Sequence, residues 1–167
     1  MFDLFIIILI IMADQVTKYL IQANMKPGEC IPLIPGVIEI SFVKNTGAAW
    51  GMMSGARWFF IILTIIVCIL LAYFLVKNKG TMTKLSHYSF VLILGGAIGN
   101  LIDRIALGYV RDMIYFSLIN FPVFNVADSA VTVGAIIFIL DILINKDRSF
   151  FNSLDSSKDK EKKKEKA

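Results

Sequence analysis

Two aspartates in the second half of the chain are placed where they could act as a pair. Asp112 lies in the loop between the last two long apolar segments, and Asp128 lies at the start of the apolar run from Phe124 to Leu140. Because they come from different segments, their carboxyls can approach each other, and two carboxyls in a partly desolvated site share one proton near neutral pH. One can then take a proton from water while the other polarises a carbonyl. This chemistry is peptide hydrolysis by two aspartates.

The rest of the residue inventory excludes most other catalytic chemistries. The chain has a single histidine, His87, so a nucleophilic serine or cysteine near the aspartates has no histidine base. A zinc site lacks its usual nitrogen and sulfur ligands for the same reason. Lys18 with an outer serine such as Ser129 or Ser41 stays open as a nucleophile pair, although no spacing supports it. We therefore expect no metal at the aspartates.

A small membrane transporter is the alternative from a different class of protein. Acids inside a membrane also form proton relays and cation sites. A relay should connect the two faces of the membrane, whereas the polar residues of this chain crowd one side. The residues by themselves favour an enzyme or a binding site and leave the transporter open.

Long apolar segments must carry these polar residues. Hydrophobic residues make up 57% of the 167 residues and the mean hydropathy is +0.72, more than a soluble domain of this size carries. A helix of about 20 apolar residues spans a bilayer. Segments that qualify are residues 2–22, 57–77, 85–104 and 126–145. The predicted fold is an all-α membrane core of four transmembrane helices, within one domain over residues 1–147.

The positions of Lys and Arg predict the orientation of these helices. Basic residues are dense between the second and third segments and after the fourth, and sparser on the opposite side. Because basic loops stay in the cytoplasm, both termini are predicted to be cytoplasmic. Residues 148–167 form a basic tail that we expect to be disordered and held near anionic membrane lipid. Nucleic acid is not an expected partner.

This orientation brings further polar side chains to the outer face, at the depth of the two aspartates. They are Asp14, Asn45, Asn100, Asp103 and Asn125. Several also have a structural explanation. Asp14 and Lys18 have the i, i+4 spacing of an intrahelical ion pair, and Asn125 and Asp128 have the spacing of a helix N-cap and its third residue. Gly99, four residues after another glycine, favours a helix-packing face.

The outer connection between the first two helices has a different periodicity. In Gly36–Val43 apolar side chains at Ile38, Ile40 and Phe42 alternate with the residues between them. This alternation is typical of a strand rather than a helix. A small extracytoplasmic β-cradle is therefore predicted over residues 30–52, lying on the bilayer surface.

Five stretches, in order along the membrane region, resemble the motifs of the lipoprotein signal peptidases, also called signal peptidase II. They are DQVTK (Asp14–Lys18), NTGAAWG (Asn45–Gly51), GNLIDR (Gly99–Arg104), VRDM (Val110–Met113) and FNVADS (Phe124–Ser129). The resemblance implies a membrane aspartyl protease of the bacterial cytoplasmic membrane, with its active site at the outer leaflet. Its substrate would be a diacylglyceryl-modified prolipoprotein, cut just before the lipidated cysteine.

The functional residues of that family fall on matching positions of this chain. The resemblance makes Asp112 and Asp128 the catalytic pair. The residues that it implies as site-shaping or substrate-binding are Asn45, Gly47, Gly99, Asn100, Asp103, Arg104, Asn125 and Ala127, with Asp14 and Lys18 in support. It also implies no metal or organic cofactor, and binding of peptide antibiotics of the globomycin type.

Arg111 departs from the family pattern, which usually has an apolar residue before the first catalytic aspartate. A guanidinium close to Asp112 would lower the pKa of that carboxyl and oppose a protonated role. Neighbouring residues on an extended chain face opposite ways, so we expect Arg111 to point away from Asp112, towards lipid phosphate. Asp128, at a helix N-terminus that favours its charge, is then the expected base and Asp112 the protonated acid.

Overall fold

The structure is a computed structural model that describes residues 2–48, 52–78 and 80–145. Within these ranges four helices are long and apolar enough to cross a membrane. They are α1 (Phe2–Asn24), α2 (Arg57–Lys77), α3 (Lys84–Ala106) and α4 (Val126–Ile144). The predicted fold class is confirmed, and no helix end differs from its predicted position by more than about two residues. The basic tail from residue 148 and the end of the NTGAAWG motif lie outside the described residues.

Helix α3 is the centre of the bundle, because it packs against α1, α2 and α4. Small residues on α3 and α4 allow this close approach. A Cβ added at Gly95 would lie 3.0 Å from Cδ1 of Ile10, and one at Gly134 would lie 2.8 Å from the carbonyl oxygen of Ser89. The packing face that the glycines of α3 predict is therefore present.

The outer surface of the bundle is apolar. On α2 the side chains of Trp58, Ile62, Ile69 and Val76 are all exposed. An exposed apolar surface of this extent is unfavourable in water but is solvated by lipid chains. The exposure pattern therefore agrees with a bundle that lies in a bilayer.

The described residues also form a three-stranded antiparallel sheet, in the order β1 (Cys30–Ile34), β2 (Ile38–Asn45), β3 (Val110–Tyr115). The β1–β2 hairpin lies in the predicted β region. Its turn contains Gly36 with φ +73°, a conformation that glycine adopts without strain.

Strand β3 is contributed by the connection between α3 and α4, where the sequence predicts a loop. In the observed register Asp112 lies opposite Val43 of β2. The prediction of a loop was therefore wrong. The first four residues of β3 are all buried, including the polar Arg111 and Asp112. A strand that is covered on both faces has no alternation of polar and apolar residues to reveal it.

The sheet covers one end of the bundle, which we call the sheet end; the opposite end is the far end. Asp14 meets Gly99 near the sheet end and Asp3 pairs with His87 at the far end, so α1 and α3 run parallel. Asp141 lies at the far end of α4, about 20 Å from Asp128 along the helix. It is fully buried and accepts hydrogen bonds from Thr83, Ser86 and Asn145.

Candidate active site

Asp112 and Asp128 line one cavity of about 550 Å³ at the sheet end. Asp112 enters it from β3 and Asp128 from the first turn of α4. The remaining lining is mostly apolar. It comprises Asn45, Gly47, Ala48, Arg104, Phe116, Phe121, Pro122, Val123, Phe124, Ser129, Thr132 and Val133. The structure therefore brings the two acids together in one partly enclosed, apolar site.

Backbone hydrogen bonds fix the two elements that carry these acids. The N–H groups of Met113 and Ile114 donate to the carbonyl oxygen of Phe124 at 2.9 and 2.8 Å, and the N–H of Phe124 donates back to Ile114 at 3.0 Å. Phe124 immediately precedes the N-cap of α4. Strand β3 and the start of α4 are thus joined next to both carboxyls.

Asn125 holds both aspartates at once. Its Oδ1 accepts from the backbone N–H of Asp128 at 2.9 Å, and its own backbone N–H donates to Oδ2 of Asp128 at 3.2 Å, which completes a capping box. Its Nδ2 donates to Oδ1 of Asp112 at 2.6 Å. The predicted N-cap role is correct, and the same side chain also bridges the two acids.

Two more asparagines donate to the carboxyls from other elements. Nδ2 of Asn45 on β2 donates to Oδ2 of Asp112 at 2.9 Å, while its Oδ1 accepts from the N–H of Gly47. Nδ2 of Asn100 on α3 donates to Oδ1 of Asp128 at 2.7 Å. Amide donors thus restrain each carboxyl from two directions, and no cation among the described residues forms an ion pair with either acid.

A buried lysine orients Asn100. Nζ of Lys18, fully buried on α1, lies 2.9 Å from Oδ1 of Asn100 and 2.8 Å from Oδ2 of Asp14. Because Lys18 donates to that oxygen, the amide nitrogen of Asn100 must face Asp128. The expected Asp14–Lys18 ion pair is present, and through Asn100 it fixes a hydrogen-bond donor to Asp128.

Asp14 also acts on α4 directly. Its Oδ1 accepts from the backbone N–H of Ala127 at 3.0 Å, so a carboxylate lies at the N-terminal end of that helix. The contact requires small neighbours. A Cβ at Gly99 would lie 2.7 Å from Oδ2 of Asp14 and 3.2 Å from Cβ of Ala127.

Arg104 lines the cavity at the end of α3. Its Nη2 lies 3.5 Å from the carbonyl oxygen of Gly47, and its guanidinium lies over the ring of Phe60 at 5.1 Å. Arg57, at the start of α2, donates to the carbonyl oxygens of Arg104 and Ile105 at 2.9 and 2.8 Å. These bonds satisfy carbonyls in the last turn of α3 and hold the helix end that presents Arg104.

The expectation that Arg111 points towards lipid phosphate was wrong. Its side chain does point away from the cavity, as strand alternation requires, but it is buried against α1 and α3. It forms an ion pair with Asp103 at 2.7 Å and donates to Gln15 and Gln22. The error has a physical reason: Asp103, which the sequence places at the membrane boundary, is fully buried and requires a cationic partner.

Burial is the main influence on the protonation of Asp112. Desolvation, and after it the nearby negative charge of Asp128, raise the pKa of Asp112 to about 7. Hydrogen bonds from Asn45 and Asn125 and the charge of Lys18 act in the opposite direction without cancelling the increase. Near neutral pH this carboxyl is therefore protonated in a large fraction of molecules.

Several residues of the site have no clear signal in the sequence. Gln15 belongs to the DQVTK motif, yet only the structure shows that its Nε2 donates to Asp14, to Asp103 and to the carbonyl oxygen of Gly99. The aromatic wall of Phe116, Phe121 and Phe124 comes from a segment with no regular periodicity. The density of aromatic residues after β3 was the one available sign of it.

Fold and site together define a membrane protein in which one end of a four-helix bundle, covered by a small sheet, holds a pair of acids in a partly enclosed cavity. The sequence profile of the family described as signal peptidase (SPase) II matches residues 6–144. The chain belongs to the signal peptidase II family, and thus to a group of bacterial membrane proteases that process lipoproteins. Membership of this family does not support the alternative that the protein is a transporter.

Individual relatives are similar over most of their length. A lipoprotein signal peptidase of Enterococcus faecalis is 46% identical over 140 residues, 83% of this chain and 86% of the relative. One of Staphylococcus aureus is 41% identical over 161 residues, 95% and 93% of the two chains. A solved structure described as a bacterial membrane enzyme superposes with a TM-score of 0.78 at 39% identity, covering 88% of this chain and 89% of its own.

Proposed function

We propose that this protein removes the signal peptide from diacylglyceryl-modified prolipoproteins by hydrolysis at an aspartyl dyad. The observation that carries the proposal is the convergence of Asp112 and Asp128 on one partly enclosed cavity, with asparagine donors on both carboxyls. No histidine, cysteine or metal ligand set competes for the role among the residues that the structure describes around them.

In the proposed reaction Asp128 is the base and Asp112 the acid. Asp128 takes a proton from a water molecule, whose oxygen attacks the carbon of the scissile carbonyl while Asp112 gives its proton to the carbonyl oxygen. The C–N bond of the tetrahedral intermediate then breaks: the leaving nitrogen takes the proton that Asp128 accepted, and one hydroxyl of the intermediate returns a proton to Asp112 as the carboxyl product forms. The raised pKa of Asp112 and the position of Asp128 at a helix N-terminus both favour this assignment.

The shape of the cavity suits a substrate with one apolar and one polar part. Its wall of aromatic and aliphatic side chains can hold a lipidated or apolar segment, while Asn45, Arg104 and the two acids form its polar side. The proposed scissile bond lies just before the lipidated cysteine. Peptide antibiotics of the globomycin type are the expected competitors for the same cavity.

The proposed location follows from the same geometry. A bond next to a lipid anchor lies near the membrane–water boundary, and the dyad lies at the sheet end of the bundle, not in the middle of a helix. With basic residues between the second and third helices, the sheet end faces away from the cytoplasm. The proposal is therefore an outer-leaflet active site with both termini in the cytoplasm.

Cleavage of a diacylglyceryl-modified prolipoprotein by purified enzyme tests the dyad. Asp112→Asn and Asp128→Asn preserve size and remove the acid, so each should lower kcat by at least about a thousandfold. Asp141→Asn is the matched control, because Asp141 is a buried, hydrogen-bonded aspartate at the far end. It should cleave at a rate close to wild type.

Two results would overturn the proposal. Near-normal turnover by either dyad variant would show that the substituted aspartate serves only as a helix cap or a packing residue. Loss of activity in Asp141→Asn as large as in the dyad variants, with a normal thermal unfolding profile, would show that the chemistry depends on acids at both ends. A transporter-like relay would then need to be reconsidered.

A further inference from the structure

The side chain of Arg111, which lies outside the cavity wall, makes four hydrogen bonds. Its guanidinium makes two bonds to the carboxylate of Asp103, from Nε to Oδ2 at 3.1 Å and from Nη2 to Oδ1 at 2.7 Å. It also donates to Oε1 of Gln22 at 3.0 Å and to Oε1 of Gln15 at 2.9 Å. A planar guanidinium matches this arrangement of acceptors, which a lysine ammonium cannot reproduce.

The backbone of Arg111 is anchored at the same point. Its N–H donates to Oδ2 of Asp103 at 2.9 Å, so one carboxylate of α3 holds both the main chain and the side chain of a β3 residue. Asp112 is the next residue, and its side chain points to the opposite face, into the cavity. Since neighbouring Cα atoms are about 3.8 Å apart, a shift of Arg111 moves Asp112 with it.

A second connection runs through the charges behind the site. Asp14 and Asp103 are both fully buried, and Lys18 and Arg111 are the cations that pair with them among the described residues. Nζ of Lys18 is only 3.7 Å from Oδ2 of Asp103. Without Arg111 one ammonium group would have to neutralise two buried carboxylates.

A shift of Lys18 towards Asp103 would also affect Asp128, the second acid of the dyad. If Lys18 moves towards Asp103, its 2.9 Å bond to Asn100 lengthens, and Asn100 is the amide that donates to Asp128. Removal of Arg111 therefore disturbs Asp112 through the backbone and Asp128 through Lys18 and Asn100. Both effects change the relative position of the acids and leave the cavity wall in place.

We propose that Arg111 is a positioning residue for the dyad: by clamping β3 to Asp103 and leaving Lys18 to orient Asn100, it sets the geometry of both aspartates. The proposal rests on the dyad mechanism proposed above. It predicts an effect on turnover more than on substrate binding, because Arg111 does not line the cavity.

The test compares Arg111→Gln, Arg111→Lys and Lys44→Gln in the cleavage assay, with hydrogen–deuterium exchange of the β3 amides as a second readout. Lys44 is the matched control, because it lies opposite Arg111 in the β2–β3 ladder but is exposed. Arg111→Gln should lower kcat at least about tenfold, with KM changed by less than about twofold. Amides in β3 should exchange faster while those of α2 are unchanged.

The conservative variant separates positioning from folding. Arg111→Lys keeps a cation for Asp103 but loses the guanidinium nitrogens that donate to Gln15 and Gln22. Its kcat should therefore lie between those of wild type and Arg111→Gln. If Arg111→Gln does not fold, a lowered kcat with unchanged KM in Arg111→Lys supports the proposal. Lys44→Gln should behave as wild type in both readouts.

Unchanged kcat and unchanged β3 exchange in Arg111→Gln would overturn the proposal, as would a loss that is confined to KM or is equally large in Lys44→Gln. Failure of the dyad itself gives a different pattern. Active Asp112→Asn or Asp128→Asn would refute the mechanism, whereas amide exchange would still show whether Arg111 holds β3.

Discussion

The side chain of Asn125 donates a 2.6 Å hydrogen bond to Asp112, across 13 positions of sequence, while it caps the helix that begins with the turn of Asp128. One amide thus ties a strand residue to a helix residue. Neither acid can move far relative to the other while Asn125 keeps both bonds.

Substitution of Asn125 should separate its capping role from its role in the dyad. Asn125→Ala loses both, so we expect a loss of about 1 kcal/mol in the free energy of unfolding together with reduced kcat. Asn125→Ser can still accept from the N–H of Asp128 and should keep most of the stability. It cannot reach Asp112, so its kcat should fall by about ten- to a hundredfold.

Thermal unfolding in detergent and steady-state cleavage of the same preparations are the measurements. A serine variant with wild-type kcat would show that the bond from Asn125 to Asp112 has no part in turnover.

The pH dependence of cleavage should report the proton on Asp112. Burial and the charge of Asp128 raise the pKa of Asp112 to about 7, so this carboxyl is protonated below that pH and ionised above it. If protonated Asp112 is the acid, kcat/KM should fall as pH rises through about 7. A profile from acidic to alkaline pH measures this, with wild type and Lys44→Gln in parallel. A rate that keeps rising well above pH 7 would contradict the assignment.

Gly99 should be intolerant of even one methyl group. A Cβ there would lie 2.7 Å from Oδ2 of Asp14, which would have to leave Lys18 or the N–H of Ala127. We expect Gly99→Ala to lose about 1–3 kcal/mol of unfolding free energy and most of its activity. Gly95→Ala is the comparison one turn earlier, since its new methyl group would press on the side chain of Ile10, with the nearest atom at 3.0 Å, and would displace no carboxylate; it should lose less activity than Gly99→Ala. Equal losses in the two variants would contradict a specific role for Gly99.

The buried pair of Lys18 and Asp14 should show strong coupling. Lys18→Met leaves the carboxylate of Asp14 buried without its cation, so unfolding free energy should fall by about 3–5 kcal/mol. Adding Asp14→Asn removes the unpaired charge, and the double variant should be more stable than Lys18→Met alone. Unfolding of the two singles and the double gives the coupling energy directly. Additive losses would mean that the pair contributes nothing specific.

The sequence was sufficient to predict the parts of the molecule that depend on local pattern. Apolar length determined the four helices within about two residues of their observed ends. The spacing of Asn125 and Asp128 indicated the N-cap, and that of Asp14 and Lys18 indicated the ion pair. These features depend on residues at most four positions apart, so spacing alone reveals them.

Features that depend on distant residues were not visible. Strand β3 acquires its structure from pairing with β2, about 70 residues earlier. The environment of Arg111 is made by Gln15, 96 positions away, and by the buried Asp103. No local pattern encodes these contacts, which is why Arg111 was wrongly expected at the lipid surface.

The antiparallel pairing of β3 with β2 has a consequence for biosynthesis. Asp112 is held only when a strand made late joins a hairpin made early, and Asp128 is held only when Asn100 and Asn125 have both arrived. A complete chain whose last helix has not yet packed therefore carries both acids but no assembled pair. The two carboxyls acquire their fixed relative position only once α4 has packed against α3 and β3.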